Sequence, residues 1–237
     1  MKRTTMLVSA LVFGALTTSA LAKVPQAQVN RLGNDLTPMG AEKAGDGGDI
    51  PAWTGGLQTV PSNVNYKPGD KLADPFKDDP VKYTNTSSNA GQYDDVLTPG
   101  YKALLSTYKD YKMNVYQTRR SCAYPDKVYE ANKRNAAVGE LVGGGSGISK
   151  GIFGFPFPIP NNGLEMIWNH TLRYRSFKVV RQFAAAPVTR SGDYTMQIVQ
   201  DEAILAWSDP AVKSAEDLDN ISLYYIANTI APARSAG

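Results

Sequence analysis

The chain holds one histidine, His170, and one cysteine, Cys122. A Ser–His–Asp triad would have to be built on His170, and no G-x-S-x-G elbow supplies the serine. A zinc site needs several ligands at short spacing, and no second histidine or clustered cysteine joins His170. It reads as a structural or surface residue. Cys122 has no histidine near it in sequence to activate it, so a buried, inert thiol is expected. Asp46 and Asp49 lie in a GDGGD run that suits calcium in composition alone, because the spaced ligands and later glutamate of an EF-hand are absent. A solvated turn is expected there. Asp78–Asp79 and Asp94–Asp95 have no apolar pocket beside them to shift a pKa and read as solvated pairs. The run Gly143–Gly147 invites a phosphate loop, but Lys150 is followed by Gly151 where that motif needs Ser or Thr. A flexible connector is expected. No catalytic residue, metal site or cofactor is predicted, and the chain reads as a non-enzyme.

The stretch with the strongest character is apolar. From Phe153 to Pro160, large residues fall on every second position: Phe153, Phe155, Phe157 and Ile159. Pro156, Pro158 and Pro160 push the residues before them out of the α region and into extended backbone. Alternate side chains of an extended ribbon share a face, so a row of three rings and an isoleucine is expected. Three prolines without N–H groups cannot serve a central strand, so the ribbon is an edge, a rim or a cover. Asn161 or Asn162 then caps a helix. Its Leu164, Ile167, Trp168 and Leu172 recur at helical spacing. Two readings stay open for this unit: ordinary core plus loop, or the wall of an apolar ligand site. In the second reading Phe153, Phe155, Phe157, Trp168 and Leu172 are the wall. Arg173, Arg175, Lys178 and Arg181 follow; they would meet anionic head groups or form a wet face.

Other elements must position this unit. Pro25 to Gly33 reads as a short helix with Val29 and Leu32 inward. Residues 36–57 are punctuated by Gly, Pro and Asp and read as a loop, anchored by Trp53. Residues 61–97 continue loop-rich, as a surface wrap or a mobile arm. Thr98 caps a helix with Pro99 at its first position, and Tyr101, Leu104, Leu105 and Tyr108 make its packing stripe. Met113 to Thr118 reads as a strand, Pro125 to Asn135 as a helix, and Gly139 to Val142 as a strand. Phe177–Phe183 and Tyr194–Val199 read as a hairpin turning at Ser191-Gly192-Asp193. Glu202–Trp207 and Ile221–Ile230 read as further strands. The whole is α+β.

The N-terminus carries a basic pair, Lys2 and Arg3, an apolar run from Met6 to Leu16, and Ala20-Leu21-Ala22 as a cleavage site. That is a secretory signal peptide, residues 1–22, cut after Ala22, and it implies a periplasmic address. No later segment reaches the length of a membrane helix. Cleavage leaves 215 residues and lowers the formal charge from +3 to +1, which gives no nucleic-acid footprint.

Four segments act together: RLGNDLTPMGAEKAGDGGDIPAWTGG at 31–56, YKMNVYQTRRSCAYPDKVYEANKRNA at 111–136, GIFGFPFPIPNNGLEMIWNH at 151–170, and YYIANTIAPARSAG at the end. They are collinear and resemble the proteobacterial family of domain of unknown function thirteen twenty-nine, often described as outer-membrane lipoprotein-sorting-like. Residues 61–97 match less crisply. The resemblance implies a LolA/LolB-like fold, a curved antiparallel half-barrel with helices covering its concave face. It also implies transport of an acyl or lipid ligand, or another hydrophobic compound, beside an exporter of the resistance–nodulation–division class. It brings no established binding residues. A scaffold that docks an exporter or outer-membrane protein is the other functional class. Family members continue past the last segment, so 23–97 is expected as an N-terminal arm and 98–237 as the first part of a longer domain. The strand near Ile221–Ile230 would then keep an open edge, prone to edge-to-edge self-association.

Overall fold

The computed structural model describes residues 24–67, 69–214, 217 and 224–232. The expected signal peptide lies outside them, as do Ile221 to Leu223 at the start of the last expected strand. Helix α1 spans Gln26–Val29, α2 Pro99–Thr107, α3 Asp126–Val138 and α4 Gly163–Leu172. Strands are β1 Tyr83–Asn85, β2 Met113–Val115, β3 Glu140–Val142, β4 Gly147–Ser149, β5 Lys178–Ala185, β6 Gln197–Ile204 and β7 Tyr224–Ala231. The class is α+β with antiparallel sheets and no closed barrel among the described residues. No helix among them is long and apolar enough to cross a membrane.

The core is assembled on α3. Its buried residues are Val128, Ala131, Asn132, Asn135 and Ala136, at the three- and four-residue spacing of one helix face. Two small alanines let other chain segments approach closely, and two asparagines bring hydrogen bonds inside. Val128 and Ala131 pack with Phe153, Tyr124 and Tyr174. Ala136 packs with Val29, Leu32 and Leu36 in a second cluster, joined by Ile159. The N-terminal segment is thus part of the core. Trp53 anchors the following loop as expected: it is buried, its indole N–H donates to Cys122 O at 3.0 Å, and its ring meets Tyr129 edge-on. Arg120, unremarked in the sequence, gathers that loop by donating to the carbonyls of Glu42, Lys43, Ala44 and Pro51.

Residues 61–97 lie partly docked. β1 pairs with β2, Tyr83 opposite Val115. Tyr83 stacks on Tyr93 at 4.6 Å, and Arg119 clamps Asp79 while lying over the Phe76 ring. Asp79 is therefore an ion-pair partner and not a solvated carboxylate. Asp94 also finds a cation, Lys102, at 2.7 Å. β3 and β4 form a hairpin whose turn is the glycine run, with Gly143, Gly144 and Gly145 all at positive φ. A flexible connector was expected; three consecutive left-handed residues make a tight turn that only glycine adopts freely.

β5, β6 and β7 form one antiparallel sheet in that order. The expected separate strand at 202–207 is the end of β6, followed by a tight helical turn at Ala206–Ser208. Opposed residues share a face: Val179, Ala203 and Tyr225 lie on one, Val180, Glu202 and Ile226 on the other. Large apolar residues stay exposed on both, including Val180, Phe183, Tyr225 and Ile226. On α2, Thr98 and Pro99 start the helix as expected. Of its stripe only Leu105 is buried, while Tyr101, Leu104 and Tyr108 are exposed.

Candidate functional site

The apolar ribbon is held by asparagines. Asn132 accepts from Phe155 N at 2.8 Å and donates to Pro38 O at 3.0 Å. Asn135 donates to Ile152 O at 2.9 Å and Phe155 O at 3.0 Å. From α4, Asn169 accepts from Phe157 N at 2.9 Å and donates to Phe157 O at 2.7 Å. A chain broken by prolines cannot join a ladder, yet its remaining N–H and C=O groups must be paired when buried. A side-chain amide carries both a donor and an acceptor and so mimics a neighbouring strand. Close approach seals the arrangement. A Cβ on Gly40 would lie 1.7 Å from Pro158 O, and one on Gly154 would lie 2.4 Å from Asn132 Oδ1.

This clamp decides where the five predicted wall residues go. Phe153 and Phe157 are buried, at 7% and 5% exposure. Phe153 sits against Val128 and Ala131, with its ring centre 5.6 Å from that of Tyr174. Its φ of 54° is left-handed, so the ribbon begins with a twist and the row of rings is not continuous. Phe155 is half-buried and meets Tyr124 edge-on at 6.0 Å. Tyr124 also meets Tyr174 at 6.1 Å, so Phe153, Tyr174, Tyr124 and Phe155 form a chain of rings. Burial pushes the Tyr124 hydroxyl up from its ordinary value. Ile159 turns away to the other core cluster. Trp168 is half-buried and donates its indole N–H to Gly145 O at 3.0 Å, on the β3–β4 turn. Leu172 is half-buried at the end of α4. The fold therefore brings Phe153 and Phe155 together through two tyrosines and places Trp168 on a separate contact.

On α4, Asn162 caps by accepting from Glu165 N at 3.0 Å, and Glu165 reaches back to Asn161 N. That reciprocal cap buries Glu165. Leu164 and Ile167, expected on the packing face, are instead exposed at 51% and 63%. Cap and Asn169 clamp set the rotation of the helix, and the apolar stripe follows.

Residues 84–237 match the family described as Protein of unknown function (DUF1329). The chain belongs to this family. An uncharacterized protein of Pseudomonas aeruginosa is 41% identical over 229 residues, which is 96% of this chain and 50% of that protein. The chain thus spans about half the length of that curated relative. No solved structure matches the chain.

In this family member the polar candidates take structural partners. Arg181 forms a two-pronged ion pair with Asp201, whose carboxylate is fully buried and also accepts from the Tyr225 hydroxyl. The guanidinium holds Asp201 below the ordinary carboxylate range. Arg175 is pushed down by burial and by the like charges of Arg173 and Arg181. His170 is exposed, and Arg173 donates to its carbonyl. Cys122 is exposed and not buried as expected, because it is the Cys122 carbonyl, not the thiol, that is tied inward to Trp53. In the GDGGD turn, Asp46 accepts from Gly48 N and Ile50 N, and Asp49 pairs with Lys82 at 2.7 Å.

Proposed function

We propose that this chain is a non-enzymatic periplasmic carrier or chaperone of an acyl or other apolar ligand, in envelope lipid or hydrophobic-compound traffic. Its frame would be a LolA/LolB-like half-barrel and its working partner an exporter of the resistance–nodulation–division class. The observation that carries the reading is the β5–β6–β7 sheet, with Val180, Phe183, Tyr225 and Ile226 exposed. Val180 and Ile226 lie on one face and Phe183 and Tyr225 on the other, so each face of the sheet offers exposed apolar residues to a ligand, a partner or a membrane. An acyl chain offers only dispersion and water release, which such a surface matches. Phe155, Trp168 and Leu172 are the predicted wall residues that keep surface to contribute. Phe153 and Phe157 serve this reading from behind, by stiffening the ribbon. Solvent extraction of the purified protein followed by lipid mass spectrometry tests it, with palmitate binding as the second arm. A folded sample that carries no apolar molecule and binds no palmitate refutes it.

One observation favours a second reading, an envelope scaffold or adaptor without a ligand. β7 has no charged residue between Tyr224 and Ala231, and such an edge lacks the usual protection against strand pairing. It would take a strand from an exporter, an outer-membrane protein or a second copy. Sedimentation with and without Ile226→Lys tests this. A wild-type monomer that recruits no envelope protein sinks it.

A further inference from the structure

α1 and α3 flank a groove of about 550 Å³. Val29 and Ala137 supply its apolar part. Gln26, Asn30 and Asn34 line one side at four-residue intervals. They are ordered among themselves: Gln26 Nε2 donates to Asn30 Oδ1 at 2.9 Å, and Asn34 Nδ2 donates to Asn30 O at 2.6 Å. Lys133 and Arg134 complete the lining. Neither cation is within ion-pair distance of a carboxylate among the described residues. Asp35, on the neighbouring turn, is taken by Arg31 at 2.7 Å. Arg134 spends one N–H on Ile152 O at 3.3 Å, which ties its guanidinium to the ribbon and leaves its other donors over. The ammonium of Lys133 lies beside Gly33, 3.8 Å from where a Cβ would stand.

Glu130 stands one turn before them on α3 but outside ion-pair distance, so two adjacent unpaired cations facing a row of amides form a surface complementary to an oxyanion on a polar body. Guanidinium and ammonium bond strongly to phosphate or carboxylate oxygens, and amides satisfy hydroxyls in either direction. The volume falls in the range of small-molecule sites, roughly 300–1,000 Å³, which is room for more than a bare anion. We propose that the α1–α3 groove binds a phosphate- or carboxylate-bearing small polar ligand, with Lys133 and Arg134 on the anion and Gln26, Asn30 and Asn34 on the body. This goes beyond the apolar carrier reading and uses none of its wall residues.

Calorimetric titration of the mature chain with inorganic phosphate, glycerol 3-phosphate and succinate tests the site. Flotation with phosphatidylglycerol and phosphatidylcholine vesicles runs beside it. Saturable, salt-sensitive binding of at least one oxyanion probe is expected. Lys133→Gln with Arg134→Gln should weaken it by at least about tenfold, the scale of losing a charged hydrogen bond, with the circular dichroism unchanged. Should the double variant not fold, each single glutamine variant is read in its place. Asn30→Ala should weaken glycerol 3-phosphate more than inorganic phosphate. Binding of the soluble ester marks a free metabolite; binding confined to phosphatidylglycerol vesicles marks a lipid head group. Both uphold the oxyanion site. No binding of any probe, or binding that survives the glutamine variants, overturns it. The lipid recovered by solvent extraction should be unchanged in these variants, so failure here leaves the carrier reading standing.

Discussion

Replacing Asn132 by alanine should be among the most damaging single changes in this chain. The side chain is fully buried and makes two hydrogen bonds to backbone far away in sequence, at Phe155 and Pro38. In the variant the Phe155 N–H and the Pro38 C=O both lose their partner. Each buried group left unpaired costs about 1–3 kcal/mol, so the pair costs about 2–6. Alanine returns about 0.7 kcal/mol of helix propensity. The net expectation is about 1–5 kcal/mol, a large share of the roughly 5–15 that holds a domain together. In a chain of this length each kcal/mol lowers Tm by about 2–4 °C, so a fall of about 10 °C is the central estimate. Guanidinium unfolding followed by circular dichroism measures it as a shift in midpoint at constant slope. Ser62→Ala on an exposed loop is the control and should stay within about 0.5 kcal/mol. A loss below about 1 kcal/mol for Asn132→Ala would refute the claim that asparagine side chains replace a strand along the ribbon.

Two further outcomes separate steric from conformational demands and set the acid limit. Gly40→Ala brings a Cβ to 1.7 Å from Pro158 O, where backbone must move, and should abolish soluble expression. Gly47→Ala has a similar positive φ but meets nothing within 4 Å, so it should cost only about 1–2 kcal/mol by thermal melt; equal effects would contradict the close-approach argument. Arg181 depresses the folded-state pKa of Asp201. The pair's contribution is therefore full above the unfolded carboxyl value of about 3.9 and is lost as pH falls through the lower folded value. Asp201→Asn should flatten that part of the acid unfolding curve and leave its shape near pH 7 unchanged; an unaltered acid limb would show that the pair does not couple to folding.

Local physics was legible in the chain. Thr98 with Pro99, a cap at Asn161 or Asn162, and Ser191-Gly192-Asp193 mark two helix starts and a turn through groups a few residues apart. The strand pair β5–β6 and the burial of Trp53 were likewise readable from alternation, turn residues and the cost of exposing an indole. Family membership was legible in four collinear segments and is matched over residues 84–237.

What the chain alone left open depended on partners distant in sequence. Alternation put Phe153, Phe155, Phe157 and Ile159 on one face, but with the backbone held by the amides of Asn132, Asn135 and Asn169 the two ends of the ribbon part, Phe153 joining one cluster on α3 and Ile159 the other. Periodicity predicted that Leu164 and Ile167 would be buried, yet only the neighbours of α4 decide which side faces water. The groove with Lys133 and Arg134 had no local pattern at all, because its sides come from two helices about a hundred residues apart. Caps and turns are short-range and are written in consecutive residues. Burial and electrostatic pairing are properties of three-dimensional neighbours, and the tertiary structure alone assigns them.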